Sequence, residues 1–292
     1  RWQAAHPFAL WHGDVCHGPA IQVDGRSRPV RIHALMDDAS RFVVALEAHH
    51  TERESDMLGL FADTLRRHPA PDRLYLDNGS TYSGRLLGTI CERLDIGLVH
   101  ATPYNPQARG KMERFWRTMR ERCLDHTGGL GSLEALNLRL WSWLERDYHR
   151  APHSGLMGKT PAEVFHEQRP DGVDVCGEDR LHEAFVARTT RRVKHDSTLS
   201  VDGQLFEVDQ RFLCGRTVEV CFSVLDGAKD PWITHDGQRF ELHPVDVTRN
   251  ARRRRTPADK TEDTTDFDPT GALLDEALGR DPSTTHTSED DR

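Results

Sequence analysis

Over the first 168 residues, apolar residues recur at strand spacing in some segments and at helical spacing in others. The order of these segments along the chain is the sequence feature that most limits the possible folds. Residues 8–48 alternate like three successive strands, FALWHGDVCH, PVRIHALMDD and SRFVVALEA, joined by short turns. A helical pattern, the short strand DRLYLD, a second helical pattern and the strand IGLVHA follow, and further helices complete the region. This order predicts an α/β fold, with a mixed sheet that has an antiparallel three-strand half and flanking helices.

Two capping boxes predict where helices begin. Thr51 and Glu54 have the spacing of such a box, and an apolar stripe continues from there to Pro69, so a helix is predicted from Thr51. Thr160 and Glu163 repeat the spacing in KTPAEVFHE, where the intervening proline favours the first helical position. A short helix is therefore predicted to close the α/β region.

The pattern changes after the stretch QRPDGVDVCGED. Short strands with Asp–Gly turns at 202–203, 226–227 and 236–237 predict a small all-β domain. The final residues are polar, include four consecutive arginines and then become acidic, a composition typical of disorder. The predicted organisation is an α/β core at 1–168, a linker at 169–184, a small β-barrel domain at 185–248 and a disordered basic-then-acidic tail at 249–292.

Charge is unevenly distributed along the chain. The formal net charge is −8, yet the last 32 residues alone hold ten acids and two arginines. The first 260 residues are therefore neutral overall, which leaves a nucleic-acid partner open. Six cysteines without a CxxC pair argue against a zinc ribbon or a secreted disulfide framework, and no window is apolar enough for a membrane span. These features predict a cytoplasmic protein.

Three acids are candidates for chemistry. Asp14 lies inside an apolar strand, where a charge is costly unless it has a function or a partner. Asp77 ends the strand LYLD and precedes an Asn–Gly pair, where the backbone can turn sharply. Glu113 follows Asp77 after 35 intervening residues, near the start of a long helical pattern. Carboxylates on two neighbouring strands and a crossing helix can converge on one point.

The helix that carries Glu113 has a defined apolar face. At about 100° per residue, Glu113, Arg117 and Arg120 fall within about 60° of one another on the flank of that face. This arrangement suits a carboxylate on a metal ion and arginines on DNA phosphates. An ordinary i,i+4 surface pair of Glu113 and Arg117 is the alternative. The residues predicted to form the buried face are Met112, Phe115, Trp116, Met119 and Cys123.

These features together resemble a known family. An acid on the first strand, LDNG closing the fourth and a glutamate following NPQARGKMER are similar to the retroviral-integrase-like core of bacterial insertion-sequence transposases. The similarity covers roughly Trp11 to Gln168 and includes HSGLMGKTPAEVF, which resembles the TPAE ending of that family. The small β domain resembles, less specifically, the barrel that follows the core in Mu-type transposases.

The resemblance implies a ribonuclease-H-like fold in which Asp14, Asp77 and Glu113 bind two Mg²⁺ ions, for which Mn²⁺ can substitute. Mg²⁺ prefers oxygen ligands, and two such ions about 3.5–4 Å apart can activate an attacking oxygen and stabilise a leaving one. The implied function is a DNA transposase or integrase that cleaves the 3′ ends of a mobile element and transfers them to target DNA. The implied partners are double-stranded DNA and further copies of the chain assembled on it, in the prokaryotic cytoplasm at the nucleoid.

DNA contacts are expected next to the three acids. A polar, proline-rich loop and the helix after it bring amides, an aromatic ring and cations beside the predicted metal centre, which suits phosphate contacts. Asn78 could instead be only a turn residue. The predicted DNA-binding residues are Asn78, Tyr104, Asn105, Gln107, Arg109, Lys111, Arg117 and Arg120.

Two other functions remain open from the sequence. The first is a ribonuclease-H-like nuclease that only hydrolyses nucleic acid. The second is a DNA-binding derivative that no longer catalyses a reaction. Transfer of a pre-cut end into a target duplex separates the transposase hypothesis from the nuclease hypothesis.

The stretch LWHGDVCHGP contains the residue types of a zinc site, but the spacing does not favour one. In a strand His12, Asp14 and Cys16 share one face while His17 points away, and no second cluster completes four ligands. The stretch is therefore interpreted as a strand that carries one functional acid. Asp38, in MDDASR, is interpreted as a turn residue.

Overall fold

The computed structural model describes part of the chain. Residues Arg1–Pro244 form one compact unit, and Val245–Arg292 form a second, of which only residues 245 and 246 are described. No helix in the described part is both long enough and apolar enough to cross a membrane. The described residues are 3–23, 25–77, 85–100, 106–126, 131–201, 203–225 and 230–246.

The order of elements in the α/β region agrees with the order predicted from periodicity. Apolar residues at every second position form strands, and apolar residues at helical spacing form helices. The elements are β1 (Trp11–Val23), β2 (Arg26–Asp37), β3 (Val43–His49), α1 (Glu54–Arg67), β4 (Arg73–Leu76), α2 (Arg85–Arg93), β5 (Gly97–His100), α3 (Pro106–Arg122), α4 (Leu133–Arg146) and α5 (Pro161–Glu167).

Five strands form a mixed sheet in the order β3-β2-β1-β4-β5. β1 pairs antiparallel with β2, and β2 pairs antiparallel with β3. β4 joins β1 in parallel and β5 joins β4 in parallel, since a helical connection precedes each of these two strands. The predicted mixed sheet with an antiparallel three-strand half is confirmed.

Helices cover both faces of this sheet. α1 and α2 lie on one face, in a buried cluster that includes Phe61, and α3 and α4 lie on the other, in a cluster that includes Met119. Consecutive strand residues point to opposite faces. Accordingly, β2 supplies Leu35 to the first cluster and Ala34 and Met36 to the second.

The predicted start of α1 at Thr51 is wrong. The helix begins at Glu54, with Arg53 as its N-cap. The Thr51 hydroxyl and the backbone N–H of Arg53 both donate to the carboxylate of Asp56, so Asp56 takes the place expected of Glu54. The Glu54 carboxylate instead accepts the backbone N–H of Leu87 in α2 at 3.1 Å, a long-range contact that no local pattern encodes.

The predicted start of α5 is confirmed. The Thr160 hydroxyl accepts the backbone N–H of Glu163 at 3.1 Å, and the Glu163 carboxylate accepts the backbone N–H of Thr160 at 2.7 Å. Pro161 occupies the first helical position. The helix carries Phe165 into the core, where its ring stacks on that of Phe42 with 4.2 Å between centroids.

A six-stranded antiparallel sheet follows, and it confirms the predicted small β-barrel. Its order is β6-β9-β10-β11-β8-β7, and β6 also contacts β7, so the sheet is nearly closed. Asp236 and Gly237 join β10 to β11 with φ angles of 48° and 74°, the left-handed backbone of a two-residue hairpin. The turns expected at 202–203 and 226–227 lie partly or wholly outside the described residues. The strands are β6 (Val186–Arg192), β7 (Thr198–Val201), β8 (Gln204–Val208), β9 (Thr217–Ser223), β10 (Trp232–His235) and β11 (Gln238–Pro244).

The segment predicted as a linker, 169–184, contains a helix, α6 (Glu178–Ala184). Its Leu181 and Ala184 are buried in the cluster formed by α1 and α2. The Arg93 guanidinium of α2 donates to the carbonyl oxygens of Ala184 and Val186 at 2.9 and 2.7 Å. These contacts attach the first strand of the barrel directly to the α/β region.

Candidate active site

The pairing of β1 with β4 makes two of the predicted acids neighbours. The parallel register pairs Gly13 with Leu76, so Asp14 and Asp77 are the next positions on the two chains. Adjacent strands lie about 4.8 Å apart, and residues paired across them project to the same face. Two half-buried carboxylates therefore stand side by side where β4 ends.

Close packing beneath this pair requires a glycine. A Cβ atom added to Gly13 would lie 2.4 Å from Cδ2 of Leu76 and 3.1 Å from Cδ2 of Leu35. Both leucines are fully buried, so neither can move aside without disturbing the core. Gly13 thus allows Leu76 to fill the space directly below the two acids.

A hydrogen bond from α3 orients the first of these acids. The indole Nε1 of Trp116 donates to Oδ2 of Asp14 at 2.8 Å, and the backbone N–H of Val15 donates to Oδ1 at 2.9 Å. Trp116 is itself buried. The Asp14 carboxylate is therefore held by two donors, one of which ties β1 to α3.

The buried face of α3 is the predicted one, since Met112, Phe115, Trp116, Met119 and Cys123 are all buried. Glu113 is exposed and precedes Trp116 by three positions, so the two side chains are neighbours along the helix. A cleft of about 850 Å³ runs between β1 and this flank of α3. Its lining includes Val15, Cys16 and His17 of β1 with Glu113, Arg117 and Arg120 of α3.

Asp38 has a larger role than that of the turn residue that the sequence suggested. It is completely buried, with His12 Nε2 2.7 Å from its Oδ1, an ion pair to Lys111 Nζ, and the Ala4 backbone N–H donating to its Oδ2 at 2.7 Å. Burial alone would raise the pKa of Asp38, but the hydrogen bonds from His12 and Lys111 hold it well below its usual range. No local sequence pattern brings these residues together, since His12 and Lys111 lie 26 and 73 positions from Asp38.

The Asp38 cluster also attaches the N-terminal half of α3 to the sheet. Lys111 stands two positions before Glu113, and Trp116 stands three positions after it. Lys111 is bound to the turn after β2 and Trp116 is bound to β1. Glu113 is therefore carried by a stretch of helix that is attached to the sheet on both sides.

The predicted DNA-binding residues fall into three groups. Arg117 and Arg120 are exposed in the cleft. Burial raises the pKa of the Cys16 thiol, which lines the same cleft, to about 11, and the positive charge of Arg120 opposes that rise. Lys111 lies on the other flank of α3, in the ion pair with Asp38. Asn78, Tyr104 and Asn105 lie outside the described residues, as do the side chains of Gln107 and Arg109 on the first turn of α3.

The three predicted carboxylates are chemically suited to bind Mg²⁺, but their arrangement meets the requirement of a metal site only in part. Asp14, Asp77 and Glu113 would offer carboxylate oxygens, which hard divalent cations prefer. Asp14 and Asp77 are strand neighbours. Within the described ranges, however, no three His, Cys, Asp or Glu side chains converge closely enough to hold a metal ion. The two aspartates thus form a carboxylate pair, and Glu113 lies on the adjoining cleft rather than within a closed three-acid group.

Comparison with known proteins gives one consistent match. Residues 4–106 match a family model described as Integrase core domain, and residues 94–161 match a second model with the same description. The Gag-Pro-Pol polyprotein of squirrel monkey retrovirus is 31% identical over 114 residues, which are 39% of this chain and 6% of the polyprotein. The Gag-Pol polyprotein of bovine immunodeficiency virus is 32% identical over 95 residues, 32% of this chain and 6% of that polyprotein. The matched segment therefore spans only a small part of these relatives.

Solved structures give more distant likenesses. The catalytic core domain of BIV integrase has 23% identity and a TM-score of 0.43, and the match covers 55% of this chain and 94% of that chain. The HTLV-2 integrase catalytic core domain in complex with magnesium has 21% identity and a TM-score of 0.42, with coverage of 56% and 100%.

Proposed function

We propose that the chain, whose residues 4–106 and 94–161 match models described as Integrase core domain, transfers polynucleotide strands of DNA, as an integrase or transposase. The reaction proposed is Mg²⁺-dependent cleavage of the 3′ ends of a mobile element, followed by strand transfer into target DNA. The observation that carries the proposal is the β1–β4 register, which makes Asp14 and Asp77 neighbouring carboxylates within that domain.

In this proposal Asp14, Asp77 and Glu113 are the catalytic residues and hold two Mg²⁺ ions, for which Mn²⁺ can substitute. When bound, such ions activate the attacking oxygen and stabilise the leaving oxygen of an in-line displacement at phosphorus. The Trp116 indole and the Val15 N–H keep the Asp14 carboxylate in one orientation. A fixed carboxylate lowers the cost of ordering the site when substrate binds.

The two proposed steps are the same displacement with different nucleophiles. In the first, a water oxygen bonds to phosphorus while the bond from phosphorus to the element's 3′ oxygen breaks, and that oxygen leaves as a hydroxyl with the proton from water. In the second, this hydroxyl oxygen bonds to a target phosphorus, and the target's 3′ oxygen leaves with the proton. One P–O bond replaces another in each step, so neither an oxidant nor a covalent enzyme intermediate is needed.

The cleft beside Glu113 supplies groups for the DNA backbone. Arg117 and Arg120 are exposed there, and guanidinium groups pair well with phosphate oxygens. Lys111 is better suited to positioning α3, because Asp38 already neutralises it. The remaining proposed DNA contacts are Asn78, Tyr104, Asn105, Gln107 and Arg109. The proposed partners are double-stranded element ends, target DNA and further copies of the chain.

A finer assignment, to a bacterial insertion-sequence transposase with a Mu-type barrel, is also proposed. It is supported by the segment HSGLMGKTPAEVF, whose TPAE residues form the capped start of α5. The nearly closed six-stranded sheet after the core is compatible with the barrel expected in that class.

The decisive experiment uses a double-stranded oligonucleotide with a pre-cut 3′ end and a labelled plasmid target, in Mg²⁺. Joined products support the proposal, and Asp77→Asn should remove them. Hydrolysis products without joining would instead identify a nuclease. One observation favours a second candidate, a DNA-binding derivative without catalysis, namely that no three-acid group converges among the described residues. Tight DNA binding with neither joining nor hydrolysis in Mg²⁺ or Mn²⁺ would identify that function.

A further inference from the structure

A second cavity, of about 650 Å³, opens on the other flank of α3. Lys111, Arg114, Thr118 and Arg122 line it, at intervals of three or four residues that place them along one side of the helix. At about 100° per residue, this side lies roughly opposite the side that carries Glu113 and faces the first cleft. The cavity is thus separated from the carboxylates by the width of α3.

The cavity is cationic. Its lining contains four basic side chains, and none of the described lining residues is acidic. Two of the cations form ion pairs with carboxylates that do not line the cavity, Lys111 with Asp38 and Arg122 with Asp147. Within the described part of the chain, neither an ion pair nor a hydrogen bond engages the Arg114 guanidinium. Arg41 and Arg114 therefore add positive charge that no described lining residue neutralises.

Arg41 is the strongest sign that an anion belongs here. Only 8% of the residue is exposed, and its Nη1 is buried with no hydrogen-bond partner among the described residues. Burial lowers the pKa of Arg41, and Asp38 opposes that shift. A buried guanidinium donor without an acceptor is costly, so an oxyanion that reaches it is strongly favoured.

The backbone of Arg41 is held firmly in place. Its φ angle is 61°, in the left-handed region that few residues other than glycine adopt. The Tyr148 hydroxyl donates to the Arg41 carbonyl at 3.2 Å, and the Arg41 N–H donates to the Asp37 carbonyl at 2.9 Å. The backbone that carries this guanidinium is therefore fixed at the wall of the cavity by one local and one long-range hydrogen bond.

His153 adds a neutral donor. Its Nδ1 accepts the backbone N–H of Gly155 at 3.1 Å, so the neutral ring carries its proton on Nε2. Burial lowers the pKa of His153, and the charges of Arg41 and Arg114 lower it further. All three side chains therefore lie within electrostatic range of one another around the same cavity.

We propose that this cavity binds a phosphate group, with Arg41, Arg114 and Nε2 of His153 as its donors. Two guanidinium groups and a ring N–H suit the several oxygens of a phosphate, and charge-assisted bonds of this kind are strong. The cavity is larger than one phosphate, so it can admit the nucleotides on either side. The phosphate can belong to a DNA backbone, which rests on the proposed function, or to a free phosphate compound, which does not.

The test measures binding of two probes, inorganic pyrophosphate and a double-stranded oligonucleotide, to the purified 292-residue chain. The variants are Arg114→Gln and His153→Gln. Arg146→Gln is the matched control, because Arg146 is an exposed cation on α4 outside this cavity. These substitutions spare buried Arg41, whose loss could prevent folding.

Loss of one charge-assisted bond should weaken binding about tenfold or more. A DNA source predicts weaker oligonucleotide binding in Arg114→Gln, with a salt slope smaller by about one, and no change in Arg146→Gln. If the ligand is a free phosphate compound, Arg114→Gln should lose pyrophosphate binding while its oligonucleotide binding is unchanged. In wild type, pyrophosphate should also raise the pKa of His153, measured by NMR.

The proposal is overturned if Arg114→Gln and His153→Gln bind both probes as Arg146→Gln does. It is also overturned if wild type shows neither pyrophosphate binding nor a cavity-dependent part of DNA binding. Asp77→Asn separates this failure from failure of the proposed function. That variant should lose strand transfer and still bind pyrophosphate like wild type.

Discussion

The indole of Trp116 donates a hydrogen bond of 2.8 Å to the carboxylate of Asp14, across 102 positions of sequence. This bond joins the central strand of the sheet to the helix that carries Glu113. The same carboxylate accepts the backbone N–H of Val15, so contacts within the fold orient it.

Trp116→Phe tests that relationship. Removing the indole N–H should lower the free energy of unfolding by about 1.5–3 kcal/mol beyond the effect of ring size, because a hydrogen bond to a charged group is lost. Strand transfer should fall without disappearing, since Asp14 remains. Urea unfolding and a joining assay measure the two effects.

Trp143→Phe is the matched control for that variant. Its Nε1 is buried and has no hydrogen-bond partner among the described residues, so the same substitution removes no bond there. Equal losses of joining in the two variants would show that the Trp116 bond has no specific role.

Glu113→Gln should abolish both cleavage and joining while leaving DNA binding largely unchanged. The substitution keeps the shape of the side chain and removes the charge that a hard cation requires. Glu121→Gln, in the same cleft, changes the charge equally and should retain activity. Near-normal strand transfer by Glu113→Gln in a gel-based joining assay would exclude Glu113 as a catalytic residue.

Arg117→Ala and Arg120→Ala should each weaken DNA binding and reduce the slope of log affinity against log salt by about one. Both guanidinium groups are exposed in the cleft, and each is expected to release about one counterion when it meets a phosphate. Arg67→Ala, at the far end of α1, is the control. Fluorescence anisotropy between 50 and 200 mM salt, roughly the range over which such contacts weaken, measures the slope. Unchanged slopes would remove these arginines from the DNA surface.

Asp38→Asn should reveal a pH-dependent part of the stability. The pKa of Asp38 lies below its ordinary range, so the stability it contributes is present above about pH 4 and is lost as pH falls toward the folded-state pKa. The wild type should therefore lose more free energy of unfolding than Asp38→Asn on acidification from about pH 5 to about pH 2. Asp37, whose pKa is raised by burial, acts with the opposite sign but is present in both proteins. Parallel stability curves would contradict the Asp38 cluster as described.

Gly13→Ala should destabilise the fold by about 1–3 kcal/mol, because its Cβ would meet Leu76 inside a packed core. Gly59→Ala is the control, since nothing lies within 4 Å of a Cβ built there, in α1. Alanine in a helix should raise stability by about 0.5–1 kcal/mol. Thermal unfolding distinguishes the two outcomes, and equal changes in both variants would contradict the packing argument.

The elements and the buried face of α3 could be predicted because periodicity within one segment determines them. The neighbouring positions of Asp14 and Asp77 were expected only from the family resemblance, because a helical connection predicts a parallel strand without saying which strand it joins. The Asp38 cluster could not be predicted, since its partners His12 and Lys111 lie 26 and 73 positions away. The start of α1 was missed for the same reason, because a contact to α2 competes with the local capping box.

Because α3 is attached to the sheet at two points, the number of residues between those points must be kept for both contacts to form. Lys111 meets Asp38 and Trp116 meets Asp14, five positions further along the helix. Inserting or deleting one residue between them turns everything beyond by about 100° and shifts it by about 1.5 Å. Only one of the two contacts could then survive. A substitution in this stretch is therefore tolerable where a change in its length is not. The position of Glu113 relative to the sheet depends on the number of residues between the two attachments as much as on the side chains that form them.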